Sequence, residues 1–367
     1  MNGKFKLKKF SDINFDDVFF NELKEDYPGT QHSKGFVQWS MDKSREGATA
    51  LVYEDIIGVA AFIYLKQEEE EIILKSEVLP KIKRIKIGTL RISDRTRGER
   101  LGEGAISLAL WKWQSDDVDE IYVTVFDKQT LLINILENFG FKLMGVNLNG
   151  ERVYLKNRYN LDYSGPLTSF PYINPDFEKS SYLAINDNYH DTLFPYSELK
   201  GNDGNYHDKL AMAVTNGVKK IYIGALYDVH FNTGEPVFIY RKYTDSTGMP
   251  KYKSCLTSIC IFSEMKQVKK NFIKKISYEE FKSFVGNKTV FSEEEIKNKY
   301  EEDKNLVALE LIYVCYFGAG NNVNYDWLKK AGYFEGYPSG IKLTPTQFYD
   351  ILGRARKDAK NVIINKS

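Results

Sequence analysis

A strand, a turn and a helix that follow one another over residues 83–113 restrict the fold of this chain most. KRIKIGTLRIS (83–93) alternates as a strand does, and AISLALWKW (105–113) is typical of a helix. RGERLGEG (97–104) lies between them and is rich in arginine and glycine. The first amides of a helix lack partners and carry partial positive charge, while glycine lets an anion approach and arginine adds full charge. The turn therefore predicts either a pyrophosphate cradle or a tight turn with solvated arginines, and the stretch alone favours neither.

Strands and helices follow one another through the rest of the first half. We predict helices at 14–27, 105–114 and 128–141, and strands at 48–55, 56–67, 83–93, 119–126 and 151–157. Pro80 predicts a break after the charged run that follows the second strand. This order predicts an α/β fold in which a mixed sheet is flanked by helices.

Residues 159–180 separate two halves of different character. They are rich in Pro, Asn, Ser and Asp without periodicity, which predicts a linker. After them, short strands alternate with Gly- and Asn-rich loops and a few helices, the last with Thr344 as its cap and Pro345 at its first position. This pattern predicts a small, partly closed β-barrel with helices. The expected domains are residues 1–158 and 181–367, joined by the linker.

Composition excludes several classes of protein. The 367 residues carry a formal net charge of +1, so non-specific DNA binding by a polycation is not supported. The three cysteines form no CxxC pair and only four histidines are present, so we expect no metal site. No 18-residue apolar stretch and no secretory signal is visible, and we expect a reduced, cytoplasmic protein that does not enter membranes.

The series of elements around the turn resembles the GNAT superfamily of acyl-CoA-dependent N-acetyltransferases. The motif of that superfamily is Arg/Gln-x-x-Gly-x-Gly/Ala, followed by a strand and then by a helix that ends in Gly-Phe. Arg97 and Gly102 fall on the motif, and Gly140 and Phe141 fall on the Gly-Phe. The resemblance covers residues 5–157 and implies a GNAT-type mixed sheet that binds acetyl-CoA and transfers its acetyl group to an amine.

Three positions depart from the pattern of the superfamily. Arg100 replaces the first glycine of the motif, Gln129 replaces the asparagine that often begins the last helix, and Leu136 replaces the tyrosine that commonly acts as general acid. Glu103 is expected to stabilise the helix N-terminus, because a carboxylate beside a diphosphate is repulsive. The resemblance implies a coenzyme A site formed by Leu90, Arg91, Ile92, Arg97, Gly98, Arg100, Leu101, Gly102, Gly104 and Gln129.

Acyl transfer to an amine needs a proton acceptor and a stabilised oxyanion. Asp127, at the end of DEIYVTVF (119–126), and Tyr122 within it are catalytic candidates by position only. The alternatives are a helix cap for Asp127 and a core aromatic for Tyr122. Positioning alone can suffice when the amine arrives deprotonated, so the absent acid at Leu136 does not exclude transfer.

The second half resembles the PUA-like fold, near the ASCH and EVE domains, over residues 181–355. The resemblance rests on NDNYHDTLFPYSEL (186–199), EPVFIYRKYTD (235–245) and YKSCLTSICIF (252–262). It implies RNA or a modified nucleobase as a partner, bound by stacking and by cationic contacts. Seven lysines stand against one glutamate within 251–275, which is either a binding patch or a solvated face. The candidate contacts are Tyr189 and His190, which we expect in a loop, together with Tyr240, Arg241 and Tyr243. The tyrosines at 240 and 243 could equally be core residues.

Three functions remain open from these patterns. The first is an acetyltransferase whose second half presents RNA or a nucleobase-bearing substrate. The second is a protein or small-amine acetyltransferase with a regulatory second half. The third is a sensor that binds acyl-CoA and nucleic acid without turnover, which the residues at 100 and 136 suggest.

Overall fold

The computed structural model describes residues 5–30, 34–116, 118–199, 213–226, 229–244 and 249–363. The first half forms a seven-stranded sheet in the order β1-β2-β3-β4-β5-β7-β6, in which the β4–β5 pair is parallel and the others are antiparallel. Its elements are β1 (Lys6–Lys9), α1 (Asn21–Asp26), α2 (Gly35–Arg45), β2 (Thr49–Glu54), β3 (Val59–Ile73), β4 (Val78–Ile92), α3 (Leu101–Ser115), β5 (Glu120–Val125), α4 (Thr130–Asn138), β6 (Lys142–Val146) and β7 (Arg152–Asn157).

The long hairpin of β3 and β4 corrects the prediction of a break at Pro80. Both strands have 15 residues, and Pro80 lies inside β4. A register shift between Glu70 and Ile72 places this proline at an irregularity, where β4 pairs with β3 alone among the described strands. Such an edge position tolerates the missing backbone donor of proline. The short elements β1, α2 and β6 were not predicted, and the helix predicted at 14–27 is only the short α1 behind a 3-10 turn.

Most of helix α3 is buried because it lies between the two halves, and Lys112 and Ser115 near its end are exposed. One face packs against β3, β4 and β5. On the other face, the indole Nε1 of Trp111 donates to the backbone oxygen of Val314 at 2.8 Å, and its ring lies 5.4 Å from that of Tyr313. A helix that packs on two opposite faces needs apolar residues around most of its surface, which explains the composition of this segment.

The second half forms a second sheet in the order β15-β8-β10-β11-β13-β9, with β12 and β14 also paired to β11. The α/β class, with mixed sheets flanked by helices, is confirmed. The elements are β8 (Ser180–Asn186), α5 (Asp187–Leu193), α6 (Ala213–Asn216), β9 (Lys219–Gly224), β10 (Pro236–Lys242), α7 (Pro250–Lys253), β11 (Cys255–Lys270), β12 (Ile273–Lys274), α8 (Tyr278–Val285), α9 (Glu293–Glu302), β13 (Leu306–Tyr316), β14 (Val323–Asn324), α10 (Tyr325–Lys330), β15 (Lys342–Leu343) and α11 (Pro345–Arg354).

This second sheet is strongly curled but open. Tyr222 of β9 and Ala184 of β8 line one cleft although their strands are far apart in the order of the sheet. Three register shifts along β11 bend that strand, since a bulge increases local twist. In the described part of the chain, the end strands β9 and β15 do not pair with each other. Thr344 caps α11 and Pro345 begins it, as predicted.

The segment between the halves is docked onto both and has no regular element. Phe170, Tyr172 and Ile173 are buried in a hydrophobic core that is continuous from the first half to the second. Lys156 of β7 is buried and donates to the backbone oxygen of Thr168 at 2.7 Å. The segment is therefore part of the packing between the halves. No helix among the described residues is long and apolar enough to span a membrane.

Candidate functional site

The parallel strands β4 and β5 part at the centre of the first sheet. They pair only over Arg84–Ile87 and Glu120–Val123. Gly88 is the extra residue of a bulge at this point, because Tyr64 pairs with Thr89 while the next residue of β3 pairs with Ile87. Beyond the bulge, the half-buried residues 90–92 stay paired to β3 alone. The edge of β4 that faces β5 is thus left open where Leu90, Arg91 and Ile92 were expected to meet a ligand.

Backbone amides converge in the turn that follows β4. Arg100 adopts a left-handed conformation, with φ 58° and ψ 22°, immediately before the first residue of α3. Successive amides around a left-handed residue and a helix start form an anion-binding concavity. In the described part of the chain, the amides of five residues find no acceptor, namely Gly98, Arg100, Leu101, Gly102 and Glu103.

A different structural feature accounts for each of the three glycines of the turn. Gly98 has a positive φ of 85° in open space. A Cβ on Gly102 would lie 2.9 Å from Cδ1 of Ile135, so this glycine allows α3 to approach α4. A Cβ on Gly104 would lie 2.4 Å from the backbone oxygen of Asn216, so this glycine allows the second half to approach α3. Packing of the turn accounts for at least the last two glycines.

The arginines predicted at this site differ in their surroundings. The side chain of Arg97 is 72% exposed and pairs with Asp94 at 3.0 Å. The guanidinium of Arg91 donates to the backbone oxygen of Phe19 at 2.8 Å, and its ion pair with Glu22 ties β4 to α1. Only Arg97 therefore presents a largely solvated cation at the turn.

Arg100 is directed into the boundary between the halves. Its guanidinium makes hydrogen bonds of 2.7–3.0 Å to both carboxylate oxygens of Glu103. A Cβ on Gly217 would lie 2.2 Å from this guanidinium, so the two groups are in close contact. The left-handed backbone at this position is one that glycine adopts readily, and the ion pair holds the arginine in a conformation that costs a non-glycine residue about 1 kcal/mol.

The remaining predicted contacts are partly structural. Leu101 is buried in the core. Gln129 precedes α4, and its side-chain oxygen accepts from the amide of Phe126 at 3.1 Å. The side chain therefore stabilises the turn between β5 and α4. Leu136, which was expected to replace a catalytic tyrosine, is fully buried in the same core.

The two catalytic candidates have no hydrogen-bond partner in common. Tyr122 is 3% exposed and donates its phenol hydrogen to Glu68, which also pairs with Lys66. Burial and then Glu68 raise the pKa of Tyr122 well above its usual range, so its phenol is neutral. Asp127 is exposed and forms an ion pair with Arg152. A protonated phenol can donate a hydrogen bond, whereas an exposed carboxylate can accept a proton.

Two of the second-half candidates, His190 and Arg241, lie in a buried network of side chains. Tyr189 and His190 belong to helix α5 and not to the expected loop. The ring of His190 contacts Asp191 at 2.8 Å and the hydroxyl of Thr257 at 2.7 Å, and Arg241 donates to Asp191 at 2.7 and 2.9 Å. Burial lowers the pKa of His190. This network links α5, β10 and β11 within the fold.

The pKa of Asp191 is held well below its usual range in that network. Burial alone would raise this pKa, but hydrogen bonds from Arg241 and His190 outweigh the effect of burial. The ion pair is therefore present at neutral pH. Tyr189, on the outer side of α5, packs against the ring of Phe291 at 5.1 Å.

The opposite side of β10 opens into a cleft of about 940 Å³. Alternation along the strand directs Tyr240 and Lys242 into this cleft and Arg241 away from it. Burial raises the pKa of Tyr240 to about 12, so its phenol is neutral. The cleft is bordered by aromatic rings and lysines, namely Tyr222, Tyr240, Tyr243, Tyr325, Phe334, Tyr337, Lys242, Lys251, Lys329 and Lys330. One acid, Asp326, pairs with two of these lysines.

Sequence patterns did not indicate three groups at these sites. Glu68 lies in a run of four glutamates, which indicated only a charged segment. Counting alternate residues of the strand from Tyr64 puts Glu68 on the side of the sheet where it meets Tyr122. Asn216 and Asn287 contact the turn from the second half, and no local signal indicates a contact across more than 100 residues. Within the described ranges, no three His, Cys, Asp or Glu side chains form a metal-binding group.

Solved structures of two kinds are similar to parts of this chain. A GNAT-family acetyltransferase from Streptococcus agalactiae is 18% identical over 42% of this chain and 95% of its own, with a TM-score of 0.31. A mutant form of the ZmASCH protein from Zymomonas mobilis is 12% identical over 48% and 96%, with a TM-score of 0.31. Arabidopsis thaliana NAA60 in complex with a bisubstrate analogue is 10% identical over 42% and 97%, with a TM-score of 0.30. No protein-family model and no curated protein matches the chain.

Proposed function

We propose that the first half binds acetyl-CoA and transfers the acetyl group to an amine. The observation that carries the proposal is the open edge of β4 beyond Ile87, which leads directly to the five unpaired amides of the turn. An extended ligand arm with amide groups can add to an open strand edge. A diphosphate at its end would then accept from the amides before α3.

The residues present fit such a ligand at its two ends. The β4 edge at residues 90–92 offers backbone donors and acceptors for the amides of the pantetheine arm. Arg97 adds a solvated cation beside the turn, while Arg100 contributes its backbone amide and directs its side chain elsewhere. Bound acetyl-CoA would supply a thioester whose carbonyl carbon can accept an amine.

Transfer forms a carbon–nitrogen bond and breaks the carbon–sulfur bond, so that the sulfur leaves with the electron pair and the nitrogen loses a proton. Asp127 is the candidate proton acceptor, since it is exposed beyond the end of β5. Tyr122 is neutral and can only donate, but its phenol is held by Glu68. The chain therefore relies mainly on positioning a deprotonated amine, which alone can lower the barrier by several kcal/mol.

The experiment compares two arginines with matched exposure. Arg97 and Arg45 are 72% and 73% exposed, and each pairs with an aspartate three residues before it. Arg97→Glu should raise the Kd of acetyl-CoA about tenfold, because a carboxylate would repel the diphosphate. Arg45→Glu should leave it unchanged when both are measured by isothermal titration calorimetry. Equal affinity in both variants, or no binding by the wild type, would refute the proposed site.

A second function is favoured by the cleft of the second half. Its rings and its excess of lysines over acids suit a planar, anionic ligand, and we propose that it binds RNA or a nucleobase-bearing acceptor. Protein or small-amine acceptors and a sensor without turnover are the alternatives. Release of coenzyme A with total RNA, and not with histones or polyamines, would support an RNA or nucleobase-bearing acceptor. Release only with histones or polyamines would support a protein or small-amine acceptor. Binding of acetyl-CoA without release would support the sensor.

A further inference from the structure

The second half of the chain contacts the anion-binding turn through side-chain amides. Nδ2 of Asn216 donates to the backbone oxygen of Glu99 at 2.8 Å, and Nδ2 of Asn287 donates to that of Gly98 at 2.5 Å. Asn216 is buried, whereas Asn287 is exposed. Two consecutive carbonyl groups of the turn are thus bound by residues that lie more than 100 positions away.

Binding of these carbonyl groups sets the direction of the amides. In a trans peptide the C=O and N–H groups point in opposite directions. Because the oxygen of Glu99 points to Asn216, the amide hydrogen of Arg100 points away from the second half. The amide of Glu99 donates within the turn to the oxygen of Thr96 at 3.1 Å, so Arg100 begins the run of four consecutive amides, at residues 100–103, that have no acceptor in the described part of the chain.

The same segment of the second half also supports the left-handed residue. Glu103, which binds the guanidinium of Arg100, accepts a further hydrogen bond from the backbone amide of Lys219 at 2.9 Å. Gly217 lies against that guanidinium, and the backbone of Asn216 lies against Gly104. Residues 216–219 therefore contact the turn at several points between Glu99 and Gly104.

We infer that Asn216 is a positioning residue for the acyl-CoA site, and that the second half is a required part of this site. The inference rests on the function proposed above for the first half. Asn216 would touch no ligand atom. It acts through the peptide group between Glu99 and Arg100, with a smaller contribution from Asn287 at the neighbouring peptide.

Isosteric and truncating variants of the full chain test this inference. Asn216→Asp keeps the shape of the side chain but places a carboxylate oxygen against the oxygen of Glu99, and should raise the Kd of acetyl-CoA about tenfold. Asn216→Ala removes the donor and should raise it about fivefold, and Asn287→Ala about twofold. Asn321→Ala is the matched control, since Asn321 makes the same type of bond to the oxygen of Phe317 within the second half.

A second ligand separates positioning from general loss of structure. S-acetylpantetheine lacks the diphosphate, so the Asn216 variants should bind it as the wild type does while losing affinity for acetyl-CoA. Equal losses for both ligands, or wild-type affinity for acetyl-CoA in every variant, would overturn the inference and leave the acyl-CoA site intact. Absence of acetyl-CoA binding by the wild type would overturn both proposals. The exposed Asn287 provides the same comparison if an Asn216 variant does not fold.

Discussion

The turn of the first half and the cleft of the second half differ in what they offer a ligand. The turn offers backbone amides, while the side chains of Arg100 and Glu103 face the second half. The cleft offers side chains, with rings and lysines that come from β9, β10, α7, α10 and the loops after β10 and α10. A site made of backbone depends on how the chain is held, whereas a site made of side chains depends on which residues are present.

Two connections join the turn and the cleft, and the shorter one is the segment from Lys219 to Tyr222. Lys219 at the start of β9 donates to Glu103 beside the turn, and Tyr222 three residues later lines the cleft. Helix α3 makes a second connection, because it begins at the turn and packs Trp111 against β13. Both regions thus depend on the same boundary, and three changes test how far they differ.

The largest effect is expected from Trp111→Ala. The indole contacts four rings, three of them in the second half, and the change removes this packing together with the bond to Val314. We expect the free energy of unfolding to fall by about 3–5 kcal/mol in urea denaturation. Hydrogen exchange should become faster in β5 and in β11, because both regions share this boundary.

Trp39→Ala is the control for this prediction. Trp39 packs against Phe10, Phe36 and Tyr64 in the aromatic cluster under α2, within the first half. Its removal should speed up exchange in the first half and leave β11 unchanged. If Trp111→Ala also leaves β11 unchanged, the two halves are energetically independent and their comparison as one unit is wrong.

Acid should weaken the second half before the first. The low pKa of Asp191 means that its ion pair stabilises the fold above the usual carboxyl range, and that this contribution is lost as the pH falls through about 4 and below. His190 acts in the same direction below about pH 6.5, because burial keeps it neutral while the unfolded chain takes up a proton. Between pH 7 and pH 3 we expect a loss of about 2 kcal/mol.

Hydrogen exchange of α5 and β10 measures this acid effect. Their exchange should speed up between pH 7 and pH 3, after correction for intrinsic rates, more than that of β5. Asp191→Asn should lower stability at pH 7 and flatten the dependence on pH. An equal response of β5 and β10 would show that this network does not set the acid stability of the second half.

The smallest effect is expected from removal of one exposed ring at the cleft. Tyr337 is 58% exposed, and Tyr337→Ala should weaken binding of a labelled single-stranded RNA about tenfold, or about 1.4 kcal/mol, because a stacking face is lost. Tyr159→Ala is the matched control, since that tyrosine is 67% exposed in the segment between the halves. Fluorescence anisotropy measures both, and equal affinities would argue against stacking at the cleft.

Local sequence patterns predicted most of the elements but not their partners. Alternation indicated the strands now seen as β2, β4, β5 and β7, and the Thr344–Pro345 pair marked the start of α11. The break predicted at Pro80 was wrong. A proline ends a strand that is paired on both sides but is tolerated in one that is paired on one side, and the local sequence does not show which case applies. The patterns also placed His190 in a loop, where the structure has a helix whose stability comes from Asp191, Thr257 and Arg241.

The sequence by itself determined the α/β class, the position of the turn and the apolar character of α3. These are local properties, because hydrophobic period and turn chemistry depend on neighbouring residues. Only the tertiary structure decided that Gly104 faces the second half, that Arg100 is held left-handed by Glu103, and that Asn216 orients the turn. Those features depend on contacts between residues far apart in the chain, and local patterns do not record which distant groups the fold brings together.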